Sequence, residues 1–265
     1  MNPQARIDLI AQVWAVLSKA APQDLQHKAM AAVETYLVDA EASLIRLLDP
    51  PLVDALPNAG YIQAYPPGVR ENGGQYSHAG IWALMAAAEL ATRQAGQESG
   101  TANHTDTAYR YFTYLSPAHR ANHPTRGVAY GIEPYVMEVD VYNQPPYVGR
   151  GGWSWYTGAA AWLHRAAIES IFGLRQGADA LVFQPCLPSH WHQAELQLRR
   201  AGRTLSFILI RPNAATALAE TAASGAQLLH IGQPLHWPAL ALARPCHGPL
   251  FCDSLAGGLN RPLFD

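Results

Sequence analysis

The hydrophobic periodicity of the chain changes once, near position 176, and this change limits the folds that are open to it. Before that position, apolar residues recur every three or four positions in long runs, the spacing of helices that bury one face. After it, they fall in short alternating runs separated by turn residues, a pattern typical of strands. The sequence therefore predicts a mainly α fold class over 1–175 and an all-β part over 176–265.

The α part contains five predicted helices and two long irregular segments. The first helix carries Ile7, Ile10, Trp14 and Leu17 at helical spacing, and the proline after Asp49 stops the second. A polar stretch at 96–107 reads as a surface insertion. Helical hairpins joined by long loops suggest an α/α toroid with its active site among the loops. The helices are predicted over 5–20, 24–48, 77–93, 107–115 and 159–173, and the irregular segments over 50–75 and 116–156.

Composition excludes several classes of function. The chain of 265 residues is 49% hydrophobic and 14% charged with a net charge of −2, which indicates a globular protein without a basic surface for nucleic acid. No apolar run reaches the roughly 18–20 residues of a membrane span. The three cysteines lack a CxxC pair, and the motifs of zinc proteases, P-loop enzymes and serine hydrolases are missing. We expect a cytoplasmic protein that binds no metal.

The first stretch that could carry chemistry is GVRENGGQYSH at 68–78. Its adjacent glycines allow a backbone to approach a ligand closely. The Glu71 carboxylate can accept two sugar hydroxyl groups, and the His78 imidazole can donate to an anion. The alternative interpretation is a glycine turn followed by a helix with Ser77 as its N-cap.

The second stretch is GRGGWSWYTG at 149–158, directly before the last predicted helix. Thr157 is placed as an N-cap, and Gly158 would expose the N–H groups of the first turn, which with the helix dipole form an anion site. Trp153 and Trp155 are flat apolar surfaces that can stack on sugar rings. The alternative is that Thr157 only caps the helix and the tryptophans fill the core.

The third stretch, IEPYVMEVDVY at 132–142, contains the carboxylates of Glu133, Glu138 and Asp140, which are candidates for acid–base chemistry. Glu138 and Asp140 alternate with apolar residues. This alternation also fits a strand that exposes both charges to solvent.

Together these stretches resemble glycoside hydrolase family 94. The likeness rests on RENGGQYSHAGIW, IEPYVMEVDVYNQPPYVGRGGWSWYTGAAAW, GLR and PCLP in this order, and it covers roughly residues 5–210. It is closest to the phosphorylase region of the family's cyclic β-1,2-glucan synthases and to its β-1,2-oligoglucan phosphorylases. The resemblance implies part of an (α/α)₆ barrel followed by a small β-sheet cap. It also implies an inverting phosphorylase that splits β-glucosidic bonds with inorganic phosphate and releases α-glucose 1-phosphate.

The resemblance assigns roles to individual residues. His78, Thr157 and Gly158 match the phosphate-binding positions of the family, and Glu71 matches the glutamate that holds the transferred glucosyl unit. Arg70, Tyr135 and Arg150 are expected to support the sugar or acceptor site. The implied partners are a β-glucan oligosaccharide and phosphate, the latter as co-substrate, with no other cofactor.

The chain departs from the family pattern at the general acid. In the family this aspartate lies in a tryptophan- and glycine-rich loop upstream of the segment matched by RIDLIAQVWAVLS, and no such loop is present here. No catalytic residue is therefore assigned. The chain is expected to be the C-terminal part of a β-glucan phosphorylase, inactive alone, or a non-catalytic carbohydrate-binding or interaction module. A complete small enzyme using Glu133, Glu138 or Asp140 as a new acid is less favoured.

A partial barrel predicts self-association. Helix faces that would pack against further helices remain exposed, and large exposed apolar patches drive association. We expect the isolated chain to form oligomers or aggregates, with another copy or the remaining barrel helices as partner. Sedimentation velocity measures this, and a monodisperse monomer that unfolds cooperatively would contradict it.

Overall fold

The computed structural model describes residues 4–94, 104–177, 180–200, 203–210, 229–230 and 235–238. Most of the predicted insertion at 96–107 lies outside this range, as does part of the strand predicted from QLLHIG. The helices are α1 (Leu9–Leu17), α2 (Gln23–Tyr36), α3 (Tyr61–Ala64), α4 (Ser77–Gln94), α5 (His104–Leu115), α6 (Pro117–Ala121), α7 (Arg126–Tyr130) and α8 (Thr157–Ala166), with a π-helical turn at Ala167–Phe172. None of the helices in the described ranges is long and apolar enough to cross a membrane.

The strands form three short antiparallel pairs within the helical part and two three-stranded sheets after it. In the helical part β1 pairs with β4, β2 with β3, and β5 with β6. One later sheet has the order β11-β10-β9 and the other β12-β8-β7. The strands are β1 (Ile7–Asp8), β2 (Val38–Asp39), β3 (Leu44–Ile45), β4 (Leu48–Asp49), β5 (Gln75–Tyr76), β6 (Asp140–Val141), β7 (Leu174–Gln176), β8 (Ala180–Phe183), β9 (Gln193–Arg200), β10 (Arg203–Ile210), β11 (Leu229–His230) and β12 (Leu235–Pro238).

Helix α1 buries a different face from the predicted one. Asp8 caps it by accepting the Ala11 N–H, and the buried residues are Leu9, Val13 and Val16. The predicted face is partly exposed, with Ile10 at 37% and Trp14 at 41%. Because LIAQVWAVL is apolar on nearly every side, periodicity could not tell which side meets α2 and α4.

Helix α2 ends twelve residues before the predicted boundary at 48. The chain leaves the helix after Tyr36, and β2 and β3 form a hairpin in which the Asp39 carboxylate accepts the Ala42 N–H at 2.9 Å. Leu44 and Ile45 of this hairpin are fully buried, as residues on the inner face of a helix would be. Their spacing therefore resembled a continued helix.

The other predicted helices are confirmed, with small shifts at their ends. The last one divides into α8 and the π-helical turn, and Gly173 ends it in the left-handed conformation with φ of 84°. The β part packs on the helices through one hydrophobic cluster. In this cluster the ring centroids of Phe183 and Phe207 are 5.0 Å apart. The observed class is mainly α with a C-terminal β part, as the sequence predicts.

Glu89, on α4, ties three parts of the chain together. Its carboxylate accepts from Arg93 at 2.8 Å on the same helix and from Arg175 at 3.1 Å on β7, and the Lys19 ammonium lies 3.5 Å away after α1. Burial opposes ionisation of Glu89, yet the hydrogen bonds and charges of the two arginines hold its pKa below the usual value.

We expect Glu89→Gln to lower the free energy of unfolding by about 1–3 kcal/mol at pH 7, as for loss of a hydrogen-bonded, partly buried charge. Because the folded-state pKa is lowered, this contribution is present above the unfolded-state pKa and disappears as pH falls through the folded value. Urea denaturation at pH 7 and pH 3 measures both effects. The control Glu169→Gln removes one pair with Arg165 within a helical turn, and its effect should stay near 0.5 kcal/mol.

Candidate active site

A short extended segment, Met137–Val141, brings the two helix starts of the candidate site together. The Ser77 N–H donates to the Val139 carbonyl at 2.9 Å, and the Tyr156 N–H donates to the Met137 carbonyl at 2.9 Å. These two N–H groups belong to the first residue of α4 and the residue before α8. Two stretches about 80 positions apart in sequence therefore start their helices side by side.

His78 lies directly against the first turn of α8. A methyl group built on Gly158 would lie 3.1 Å from both Cε1 and Nε2 of the His78 ring. Thr157 is the first residue of the helix and is exposed; it is not the predicted N-cap, because that position belongs to Tyr156. No side chain caps this helix start, so its first N–H groups remain open to an anion.

The His78 ring sits in an aromatic environment. It stacks on Tyr76 at 6.0 Å between ring centroids and meets the edge of Tyr156 at 5.0 Å. The two tyrosine hydroxyls lie 3.0 Å apart. Burial lowers the pKa of His78, so its imidazole is neutral at pH 7 and donates one N–H. Burial and the bond to Tyr156 raise the pKa of Tyr76, which stays un-ionised.

Arg70 and Glu71 lie next to this group. The Arg70 Nε and Glu71 Oε2 atoms are 3.7 Å apart, and both are buried without a hydrogen-bond partner. The charges of both residues act on the Tyr76 hydroxyl, and the Tyr76 ring stacks on His78. The structure therefore brings five predicted site residues into one region: Arg70, Glu71, His78, Thr157 and Gly158.

The remaining predicted sugar-site residues lie on the outer loops. Arg150 stacks over the Tyr147 ring at 5.8 Å and, with Glu133, lines an open cavity of about 940 Å³. Tyr135 is exposed and contacts Trp155, with ring centroids 6.4 Å apart. Within the described part of the chain, no hydrogen bond, ion pair or ring contact joins Arg150 or Tyr135 to His78 or Glu71.

The two tryptophans of the glycine-rich stretch are surface residues. Trp153 is 73% exposed and Trp155 is 66% exposed, so neither fills the core. Trp155 has a φ of 61°, a left-handed conformation that costs a bulky residue free energy and that clusters at functional sites.

Glu138 and Asp140 are buried, which contradicts the interpretation of a strand with solvent-exposed charges. Both are 0% exposed. The Tyr130 hydroxyl donates to Glu138 at 2.5 Å, and the Ser77 hydroxyl lies 3.4 Å from its other oxygen, so Ser77 does not act as the predicted N-cap. Burial raises the pKa of Glu138, while Tyr130 and Arg120 favour its charged form. Neither carboxylate is placed to protonate a substrate from solvent.

Sequence reasoning assigned no role to Tyr76 and Tyr156. Each directly precedes a helix start, Tyr76 before Ser77-His78 and Tyr156 before Thr157-Gly158. This shared position before a helix start could have indicated from the sequence that both tyrosines belong to the site. Their contact through space depends on the Met137–Val141 segment between them.

Comparison with known proteins identifies the family of the chain. The family model described as glycosyl hydrolase 94 superfamily, catalytic domain, matches residues 1–173. The chain belongs to this family. The matched region contains every residue of the site described above. In the described parts of this family 94 chain, no group of three or more potential metal ligands occurs.

Relatives of the family 94 chain include synthases and phosphorylases. The cyclic beta-(1,2)-glucan synthase NdvB of Rhizobium meliloti is 42% identical over 203 residues, which are 77% of this chain and 7% of that protein. An N,N'-diacetylchitobiose phosphorylase of Vibrio furnissii is 28% identical over 79% of this chain and 24% of its own length. A cellobionic acid phosphorylase of Neurospora crassa is 26% identical over 80% and 25%. The chain thus spans a quarter or less of these relatives.

We expect Glu138→Ala to destabilise the fold strongly, because it leaves the buried Tyr130 hydroxyl without its partner and Arg120 without a nearby buried carboxylate. The expected loss is about 2–4 kcal/mol of unfolding free energy. The control Glu133→Ala removes an exposed carboxylate and should change stability by about 0.5 kcal/mol or less. Thermal unfolding followed by circular dichroism compares the two; equal effects would contradict a structural role for Glu138.

Proposed function

We propose that this chain forms the phosphate- and glucosyl-binding part of an inverting phosphorylase that splits β-1,2-linked glucan into α-glucose 1-phosphate. One observation carries the proposal: the His78 imidazole faces the uncapped first turn of α8, next to the Arg70–Glu71 pair. The synthase and phosphorylase relatives support it. The helices are proposed to be part of an (α/α)₆ barrel, with the later sheets as its cap.

Phosphate binding follows from the donors at the two helix starts. The neutral His78 ring gives one N–H, Thr157 gives a hydroxyl, and the first turn of α8 gives backbone N–H groups with the positive end of the helix dipole. An inverting phosphorylase uses this anion as the nucleophile on the face opposite the leaving oxygen. Because phosphate is already anionic, no protein base is required.

Sugar binding is proposed for the carboxylate next to the phosphate site. The Glu71 side chain keeps 16% of its surface exposed, and sugar hydroxyls are proposed to donate to its carboxylate at that exposed part. Further glucan units are proposed to occupy the cavity lined by Arg150 and Glu133, with the exposed aromatic rings of Tyr135 and Trp155 as stacking surfaces. The proton donor for the leaving oxygen is assigned to none of these residues.

We expect His78→Ala to weaken orthophosphate binding by about 10- to 100-fold, the loss of one hydrogen bond to a charged ligand. The affinity for a short β-1,2-linked gluco-oligosaccharide should change little. Glu71→Gln should weaken binding of the oligosaccharide and change phosphate affinity little, because it removes the charged acceptor of sugar hydroxyls. Isothermal titration calorimetry on the 265-residue chain measures both ligands.

Matched controls come from the same chain. His119 is also a histidine whose pKa is lowered by burial, and it packs on Phe112 at 5.8 Å, so His119→Ala should leave phosphate affinity unchanged. Glu41→Gln, at an exposed position, is the control for Glu71. If wild-type protein binds neither ligand, or if His119→Ala weakens phosphate binding as much as His78→Ala, the proposal is wrong. Release of α-glucose 1-phosphate by this chain alone would show that it also holds a proton donor.

A further inference from the structure

The backbone at Arg70 is held in an unusual conformation. Its φ is 52°, in the left-handed region that residues with a side chain seldom occupy. The Arg70 N–H donates to Asp140 Oδ2 at 2.7 Å, and the Arg70 carbonyl accepts the Gly74 N–H at 3.1 Å. Such a strained conformation persists only where its surroundings fix it. Here a side chain from a distant segment, Asp140, provides one of the two bonds.

The Asp140 carboxylate is fully enclosed. Its Oδ2 atom accepts the Arg70 N–H, whereas Oδ1 is buried without a hydrogen-bond partner. A methyl group built on Gly152 would lie 2.1 Å from Oδ1, far inside van der Waals contact. The Gly152 N–H also donates to the Asp140 carbonyl at 2.8 Å, which fixes the two residues side by side. Position 152 must therefore lack a side chain for the carboxylate to stand where it does.

This arrangement is unfavourable for stability by itself. Burial raises the pKa of Asp140 to about 6, against the Arg70 hydrogen bond and charge, which favour ionisation. A buried carboxylate with one unpaired oxygen costs free energy relative to a neutral group. The electrostatic partner that favours its charge is Arg70, and the Glu71 carboxylate opposes it. Both of these residues belong to the proposed sugar site.

The direction of the Glu71 side chain depends on this turn. Glu71 follows Arg70 directly, and its Oε2 atom makes no hydrogen bond that would hold it independently. The Arg70 Nε atom, 3.7 Å away, is unpaired as well. The Arg70 guanidinium lies over the Tyr65 ring, 5.4 Å from its centroid, whereas the direction of the Glu71 side chain depends mainly on the backbone from which it leaves.

We propose that Asp140 is a positioning residue of the sugar site: its buried carboxylate holds the left-handed turn at Arg70, directs Glu71 toward the sugar, and requires glycine at position 152. The part that concerns sugar rests on the proposed function. Asp140 does not contact the substrate, because the residue is 0% exposed and both oxygens face protein atoms.

The test uses a set of variants in the full chain and two measurements. The variants are Asp140→Ala, Asp140→Asn, Gly152→Ala and the double variant Asp140→Ala with Gly152→Ala. Hydrogen exchange of the Arg70 amide reports on the turn without any ligand. Calorimetric titration with a short β-1,2-linked gluco-oligosaccharide reports on the site, and titration with orthophosphate tests whether the neighbouring site is intact.

Asp140→Ala should speed exchange at Arg70 and weaken sugar binding about 10-fold or more, while phosphate affinity stays within about 3-fold. Asp140→Asn keeps an acceptor for the Arg70 N–H and should retain most of the sugar affinity. Gly152→Ala should weaken sugar binding as strongly as Asp140→Ala. It should add little in the double variant, because the 2.1 Å clash with Oδ1 is then removed and only Tyr142 Cε1, at 3.1 Å, stays close to the methyl group.

A control separates positioning from general loss of stability. Val33→Ala opens a cavity in the core on α2 and should lower the melting temperature without changing sugar affinity. Unchanged Arg70 exchange in Asp140→Ala would overturn the positioning role, as would additive losses in the double variant. If wild-type chain binds no sugar, the proposed function fails, and the exchange measurement alone still decides whether Asp140 holds the turn.

Discussion

The backbone hydrogen bonds of the Met137–Val141 segment are the interactions on which the site depends. On one side this segment pairs with Gln75 and Tyr76 and accepts the N–H that starts α4. On the other side it bonds to Trp153 and Tyr156 just before α8. Because a backbone bond fixes both distance and direction, one extended segment sets how two helix starts face each other. His78 and Gly158 meet for this reason.

The segment is itself held by buried polar side chains. Gln75 donates to the Tyr114 carbonyl and accepts the Ile45 N–H, which joins the pair to α5 and to the hairpin after α2. On the segment itself, Glu138 bonds to Tyr130, and Asp140 holds Arg70. Low dielectric strengthens such bonds and makes each unpaired group costly. The polar groups behind the site thus fix its geometry, whereas the groups at its surface remain available to ligands.

The proposed phosphate side and the proposed sugar side of the site are built by different means. The proposed phosphate donors come from a helix start and an imidazole, which are rigid once the two helices are packed. The sugar-side carboxylate sits on a strained turn that needs support from Asp140. Substitutions in the loops should therefore affect sugar affinity before phosphate affinity. This separation lets the two proposals be tested independently.

The family and the fold class could be predicted from the sequence, because they depend on local motifs and on hydrophobic periodicity, whereas the roles of the site residues stay a prediction. Two glycine-rich stretches contain the candidate residues, and the chemical groups in them can be recognised from the sequence alone. These residues are Glu71, His78, Thr157 and Gly158. The predicted end of the second helix was wrong because a hairpin follows α2. Apolar residues buried in a short hairpin and apolar residues buried in a helix can have the same spacing in the sequence.

Only the tertiary structure decided which side chains are inside. The alternation of apolar and charged residues along 137–141 predicted that Glu138 and Asp140 are exposed to solvent. The segment instead lies between two other segments of the chain, and both side chains are buried. In the same way, α1 is apolar around most of its surface, and packing alone selected Leu9, Val13 and Val16. Local sequence determines which groups are present and which backbone they favour. Contacts between segments far apart in sequence determine which of those groups face a ligand, because burial is a property of the neighbours.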